Sequence, residues 1–512
     1  MLRSKRGDSS ASKAADKRRS DTRATGLAPL GRGADSLPWW YELVHAATTS
    51  PVLGHDRAVF TNRTLRFDRI KAVGFDFDHT LAVYNCEKLD SLAMRLVIDR
   101  LIAEEGLAAS FFDVIPEANF ARKGLLVDTE LGHVIKVDRH GHVSIAYHGI
   151  HELTRNERHA HYGDMDVIPH VTHGDRFVQV DTAFAKPEVL IYLAVAPRVD
   201  EMNRRTLWGK IRHHTDSVHR DGSLKNVITA TPLEYLIPDP DTVELLRQLR
   251  AGGKRVFLLT NSELSYTSAM VNPCFGLDPA RATEWLELFD QVVVEARKPR
   301  YFNRTDAPEV VGPAHLVRGG SFSDLEERLG CQGPEILYVG DHIYADLISS
   351  KRHQHWRTML VISELEEELQ VQSMLPGIVE QLKQTDERRN ETERLVQHWK
   401  RIEAALARIP NGQHDALLEQ VRGESTRSHD RALMALAKFI RQRESLRGKL
   451  SRATNTHWGS LFRVGSELTY YGRQLEDFAC TYTSRATNLC AYPPDHYFRS
   501  SMDYLPHELE SM

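Results

Sequence analysis

Four short apolar runs, at 72–75, 256–259, 292–294 and 336–339, each lead into a polar segment that contains Asp76, Thr260, Lys298 or Asp341. Runs this short and continuously apolar, rich in Val, Ile and Phe and separated by helical patterns, predict parallel strands covered on both faces. The chain is therefore expected to be an α/β protein with a Rossmann-like parallel sheet. In such sheets ligands bind beyond the carboxyl ends of the strands, which is where all four runs deliver their polar residues.

The spacing of the runs is uneven. About 180 residues separate the first from the second, whereas a crossover between parallel strands needs only about a dozen. An inserted domain at 85–227 accounts for the difference and, starting just after the first strand, is expected to lie over the strand ends as a cap. The catalytic core is then discontinuous, 37–84 and 228–363. Beyond it, 364–512 is read as a helical C-terminal region. There Leu395, Trp399, Ile402, Leu406 and Ile409 form a helical stripe, expected to pack on the core or on a neighbouring subunit.

Composition narrows the function. Lys and Arg number 66 against 70 Asp and Glu, a formal net charge of −4, so no bulk field draws the chain to nucleic acid or an anionic membrane. The longest apolar stretch, 189–196, is too short for a bilayer, which needs roughly 20 residues, and reads as buried core. Five cysteines without CxxC spacing suggest neither a disulfide framework nor a zinc site and fit a reducing, cytoplasmic setting. The first 36 residues carry nine Lys or Arg and four Asp without an apolar segment, which predicts a disordered basic tail.

The chemistry lies at the strand ends. Residues 74–81 (GFDFDHTL) place Asp76 and Asp78 two apart at the close of the first run. A DxD alone is a weak signal, because aspartates are common in turns and helix caps. Its weight comes from the other strand ends: Thr260, Asn261 and Ser262 on the second, Lys298 after the third, Asp341 and Asp346 after the fourth. A phosphomonoester is anionic, so moving its phosphoryl group demands alignment and charge neutralisation. Asp76 can serve as nucleophile and Asp78 as general acid and base. Carboxylates this close call for a hard cation, and Mg²⁺ held by Asp76, the main-chain carbonyl of Asp78 and Asp341, with Asp346 supporting from behind, suits them. Thr260, Asn261 and Ser262 offer hydrogen bonds to phosphate and Lys298 a compact positive charge.

These elements resemble the signature of the haloacid dehalogenase superfamily. The fuller wording, at 75–84 (FDFDHTLAVY), 258–262 (LLTNS), 296–299 (ARKP) and 336–346 (ILYVGDHIYAD), is similar to the cytosolic purine 5′-nucleotidase family. The resemblance implies a nucleotide substrate and leaves a homo-oligomer open. It also implies that Phe184, Arg212, Asp216, His219 and Lys225, in the insertion, line the nucleoside pocket. Arg212 and Asp216 are i and i+4 with His219 three further on, so one side of a helix presents all three. Arginine donates to O6 and N7 of a 6-oxopurine and a carboxylate accepts from N1–H, whereas adenine presents the wrong polarity, so IMP and GMP are the expected substrates. Arg220 stands where the family commonly has an aromatic residue, which leaves the substrate range open. A phosphotransferase using the same aspartyl-phosphate and a non-catalytic binding protein of the same fold are the alternatives.

Overall fold

A computed structural model describes residues 54, 57–165, 167, 175–278, 283–409 and 416–500. The basic tail expected over 1–36 lies outside these residues. Its central element is a nine-stranded sheet whose strands, in chain order, are β1 (Phe60–Thr61), β2 (Ala72–Phe75), β8 (Arg255–Leu259), β9 (Gln291–Val294), β10 (Glu309–Val310), β11 (Leu316–Arg318), β12 (Ile336–Gly340), β13 (Arg357–Val361) and β14 (Thr481–Thr483). Their spatial order is β1-β14-β13-β12-β2-β8-β9-β11-β10. The two edge strands run antiparallel and the strands between them are parallel, the α/β architecture the sequence predicts.

The apolar runs form strands because both of their faces are covered. Val73 and Phe75 of β2, Val256 and Leu258 of β8, and Leu337 and Val339 of β12 enter one buried cluster. Ala72, Phe257, Leu259, Ile336 and Tyr338 enter another. Alternate residues along a strand point to opposite faces, so a run buried on both must be apolar throughout. Gly74 leaves the space that the Phe257 ring occupies on the neighbouring strand, where any Cβ would collide with it. After β2 the chain winds through β8, β9 and β11 on one side and then crosses to β12 on the other. The crevice of an open α/β sheet forms at such a reversal.

Between Tyr84 and the return to β8 the chain builds a second, antiparallel sheet. Its strands are β3 (Leu126–Asp128), β4 (His133–Val137), β5 (Val143–His148), β6 (His151–Glu152) and β7 (Phe177–Gln179), in the order β6-β5-β4-β3-β7. Helices α1 (Cys86–Glu105), α2 (Lys186–Val195), α3 (Glu201–Arg220) and α4 (Ser223–Ala230) accompany it. Residues 189–195 are the body of α2 and Ala196 its C-terminal cap, all of them buried.

The C-terminal region is more than helical. Helices α5 (Pro376–Leu406) and α6 (Ala416–Thr454) form a long antiparallel pair, followed by α7 (Tyr470–Phe478). The chain then returns as β14, which pairs parallel with β13 and antiparallel with β1. The stripe on α5 also differs from expectation. Leu395 is 52% exposed while Val396 is buried, and the helix that carries the stripe packs mainly against α6. Lys136 of β4 ties the insertion to this region: its ammonium donates to the carbonyl oxygens of Trp458, Ser460 and Arg463 at 2.6, 2.5 and 3.1 Å. No helix among the described residues is long and apolar enough to cross a membrane.

Candidate active site

The chain leaves β2 in a tight turn. Asp76 N–H continues the sheet ladder to Val339 O at 2.9 Å, and the N–H groups of Thr80, Leu81 and Ala82 all donate to Phe77 O. Closing this turn puts His79 at φ 56°, a left-handed conformation that a non-glycine residue holds only where its surroundings enforce it. Asp76 and Asp78 thereby separate. Asp76 accepts from Phe77 N–H and lies 2.9 Å from Lys298 Nζ. Asp78 accepts from the Tyr84 hydroxyl on one oxygen and the Ser262 hydroxyl on the other, both at 2.6 Å. Tyr84 is backed in turn by the hydroxyl of Tyr266 at 3.0 Å.

The loops after β8 and β9 are knitted together to present Lys298. Ala296 and Glu295 donate their N–H groups to Thr260 O and Ser262 O, and the Asn261 side chain brackets the main chain of Lys298, accepting from its N–H at 2.6 Å and donating to its O at 3.2 Å. Glu295 and Arg297 both adopt positive φ to follow this path. Lys298 Nζ then bridges Asp76 and Asp346, 2.7 Å from the latter, with the Tyr338 hydroxyl at 2.8 Å. Asn261 and Ser262 line the cavity described below, whereas Thr260 is fully buried and its hydroxyl oxygen accepts from Ser262 N–H.

After β12, Asp341 is followed by a π-helical turn, Ile343–Ile348, an irregularity frequent at functional sites. It swings Asp346 back beneath the strand end, where it accepts from His342 N–H. Gly340 permits this, because a Cβ there would strike the Asp346 carboxylate. Asp76, Asp341 and Asp346 consequently offer ligand oxygens all within 4.8 Å of one another. Asp346, expected to support the metal from behind, is grouped with the other two, and the carboxylate of Asp78 is occupied by Tyr84 and Ser262. The electrostatics suit a bound cation. Burial pushes the Asp76 carboxyl well above its usual range, Lys298 opposes the shift, and Asp346, Asp341 and Asp78 add to it. Three carboxylate oxygens at this spacing, two of them from buried residues, suit a hard, oxygen-seeking cation. Asp78 is also raised, by burial, against the pull of its bonds to Ser262 and Tyr84.

Above the strand ends lies a cavity of about 330 Å³. Asp76, Asp78, Lys298, Asp341 and Asp346 are at its walls, and the insertion contributes Phe184, His219 and Lys225. The Phe184 ring meets His79 edge-on at 4.6 Å and His219 at 5.7 Å. Lys225 pairs with Glu263 at 3.4 Å. Arg212 and Asp216, though on the same helix as His219, do not line this cavity. Both are exposed, and Arg212 borders a neighbouring one with Asp181 and Tyr344. Residues 59–510 match the 5′ nucleotidase family. The chain belongs to that family. A 5′-nucleotidase domain-containing protein of Dictyostelium discoideum is 27% identical over 503 residues, covering 92% of this chain and 77% of that protein.

As a 5′-nucleotidase the chain is a phosphoric monoester hydrolase acting on nucleotide 5′-monophosphates, and the site holds residues that spacing alone does not reveal. Tyr84 and Tyr266 form the hydrogen-bond chain behind Asp78. Lys123, 1% exposed, reaches from the insertion to Asp341 at 3.0 Å. Glu188 of α2, which does not line the cavity, lies 3.8 Å from Arg212, and burial pushes its carboxyl up to about 7 against the opposing charge of Arg212. The signal available for Glu188 was its place in a helix otherwise buried and apolar, where a carboxylate needs a reason.

Proposed function

We propose that this 5′-nucleotidase is Mg²⁺-dependent and works through an aspartyl-phosphate on Asp76. The observation that carries the reading is Lys298, wedged between Asp76 and Asp346 at 2.9 and 2.7 Å while Asp78 is held apart by Tyr84 and Ser262. One carboxylate is thus presented beside a fixed cation and the other is kept for proton transfer. Asp76 attacks phosphorus, the bond to the ribose 5′-oxygen breaks, and Asp78 gives its proton to that oxygen. Burial favours the protonated form of Asp78 that this step requires. Asp78 then takes a proton from the incoming water, the bond between Asp76 and phosphorus breaks, and orthophosphate leaves. Lys298 and the Asn261 main-chain N–H stabilise the charge on the phosphoryl oxygens, while Ser262 holds Asp78. Mg²⁺, held by Asp76, Asp341 and Asp346 with the Asp78 carbonyl, would supply further charge neutralisation and a template for the phosphate.

The nucleoside is placed in the cavity against Phe184 and His219, with Lys225 beside it. Preference for IMP and GMP would require Arg212 and Asp216, which lie outside the cavity wall, to reach the base, and it is tested separately from the reaction. Phosphate release is measured across IMP, GMP, AMP, CMP and UMP with and without Mg²⁺. The 6-oxopurine nucleotides turn over fastest and chelation stops release, while an even response across bases removes only the preference. Asp76→Asn lowers kcat by more than about 10⁴-fold with the melting curve retained, a loss of the scale seen when an enzyme nucleophile is removed. Turnover near the wild-type value in that variant refutes the covalent step.

A further inference from the structure

The insertion meets the core and the C-terminal region through ion pairs, two of them buried. Lys123 pairs with Asp341 at 3.0 Å and Lys186 with Glu364 at 3.5 Å, both buried, while Arg122 faces the exposed Glu367 at 3.7 Å. Surface pairs of this kind contribute little, but buried ones hold geometry, because breaking them strands a charge away from water. One of the three reaches the acidic triad itself. Lys123 Nζ donates to Asp341 Oδ2 at 3.0 Å and to the main-chain oxygen of Asp341 at 3.3 Å, and among the described residues no other hydrogen bond reaches that carboxylate.

The lysine is itself held in place. The next residue, Gly124, has φ +83° and donates its N–H to Val180 O at 2.7 Å. A Cβ on Gly124 would stand 2.7 Å from Cβ of Tyr471 in α7, so the main chain carrying Lys123 is pressed between the insertion and the C-terminal region. Its ammonium has almost no freedom to turn away from Asp341.

We propose that Lys123 is a positioning residue for the acidic triad: from the insertion, it fixes the plane of the Asp341 carboxylate by binding Oδ2 and leaves the other oxygen directed at the cation. This rests on the reading of Asp76, Asp341 and Asp346 as a Mg²⁺ site. Carboxylates that ligate metals are commonly oriented by such partners, and losing one costs about 10- to 100-fold in metal affinity or activity. Because the lysine belongs to the insertion, the metal centre is complete only when the insertion is seated on the core.

Calorimetric titration of the full chain with Mg²⁺, without nucleotide, tests this. Wild-type protein that takes up no Mg²⁺ refutes the metal reading itself. If wild-type protein binds, Lys123→Met, which keeps the aliphatic stem, is expected to bind about 10- to 100-fold more weakly, and Lys123→Arg, which keeps charge and donors, to recover most of the loss. Binding by Lys123→Met at wild-type strength, or more tightly, overturns the proposal, the latter because it makes the lysine a competitor of the cation. A measurement on unmodified protein serves if the variants do not fold. Acylation of lysines followed by mass spectrometry should find Lys123 equally protected with and without Mg²⁺. Labelling that appears on adding Mg²⁺ shows the ion displacing the lysine and overturns the assignment.

Discussion

In the proposed mechanism Asp78 is the acid-base residue, and its behaviour is set by the side chains that hold it. Its two oxygens are claimed by Tyr84 and Ser262, each at 2.6 Å, so it has one orientation in which to meet the leaving oxygen and then the water. Tyr84→Phe removes one of these donors and leaves the ring packing intact. The expected result is a fall of about tenfold in kcat, less than the roughly 10²- to 10⁴-fold that general acid-base assistance contributes because Asp78 itself remains, with KM little changed. Steady-state kinetics on the favoured nucleotide checks it, and an effect confined to KM would move Tyr84 to substrate binding. Glu188 offers a test of stability. Its carboxyl is raised from the ordinary 4.5 to about 7 by burial. The folded state therefore retains a proton that the unfolded chain releases, and stability present at low pH is lost as pH rises through that interval. Glu188→Gln does not titrate, so its melting temperature should drop less than that of wild-type protein between about pH 5 and pH 8, a difference on the order of 2 kcal/mol. Parallel curves for the two proteins would place the titration elsewhere.

At the scale of elements, the turn after β12 brings carboxylates together at a strand end as a group that could hold an ion. The π-helical segment brings Asp346 under the sheet, and Gly340 gives it room. Gly340→Ala should destabilise the fold by about 1–3 kcal/mol, the usual cost of overpacking, and weaken Mg²⁺-dependent stabilisation by displacing Asp346. Thermal melts with and without Mg²⁺ separate the two effects, and an unaltered Mg²⁺ response would show that Asp346 does not need this position. The four strands carrying the site were legible because each is short, apolar and buried on two faces, and their polar successors are adjacent in sequence. β14 was not: Thr481 and Thr483 are buried only because β13 and β1 flank them, a tertiary circumstance that overrides local preference. Lys136 was hidden for a similar reason, its carbonyl partners lying more than 300 positions away. Helical spacing grouped Arg212, Asp216 and His219 on α3, but spacing does not fix how a helix is rotated against its neighbours. In the fold His219 reaches the cavity, and the other two do not line it.

For the whole molecule, one sheet is assembled from widely separated parts of the chain. β1 and β2 precede the insertion, β8 to β13 follow it, and β14 comes near the end, after the α5 and α6 pair. The two long helices are therefore an excursion within a closed structure. At about 1.5 Å per residue, their 31 and 39 residues span about 46 and 58 Å. Few of their side chains are buried: Thr385, Thr392 and Val396 on α5, and Ser425, Ala432 and Leu446 on α6. Cross-links such as Glu403 to His429 and Asp386 to Arg443 join the helices to each other. Their distal half contributes no residue to the candidate active-site cavity. Regions with little buried apolar contact open independently of the core, which leads to two opposite outcomes for two deletions. Replacing 394–437 by a short turn should give a folded protein with wild-type turnover. Removing 470–500, a smaller deletion, takes β14 out of the sheet, uncovers the edge of β13 and withdraws Tyr471 from Gly124. That truncation should yield aggregated protein, because an unpaired internal strand edge templates association. Size-exclusion chromatography and phosphate release on both proteins decide the matter, and loss of turnover on shortening the helices alone would give them a part in catalysis that the packing does not.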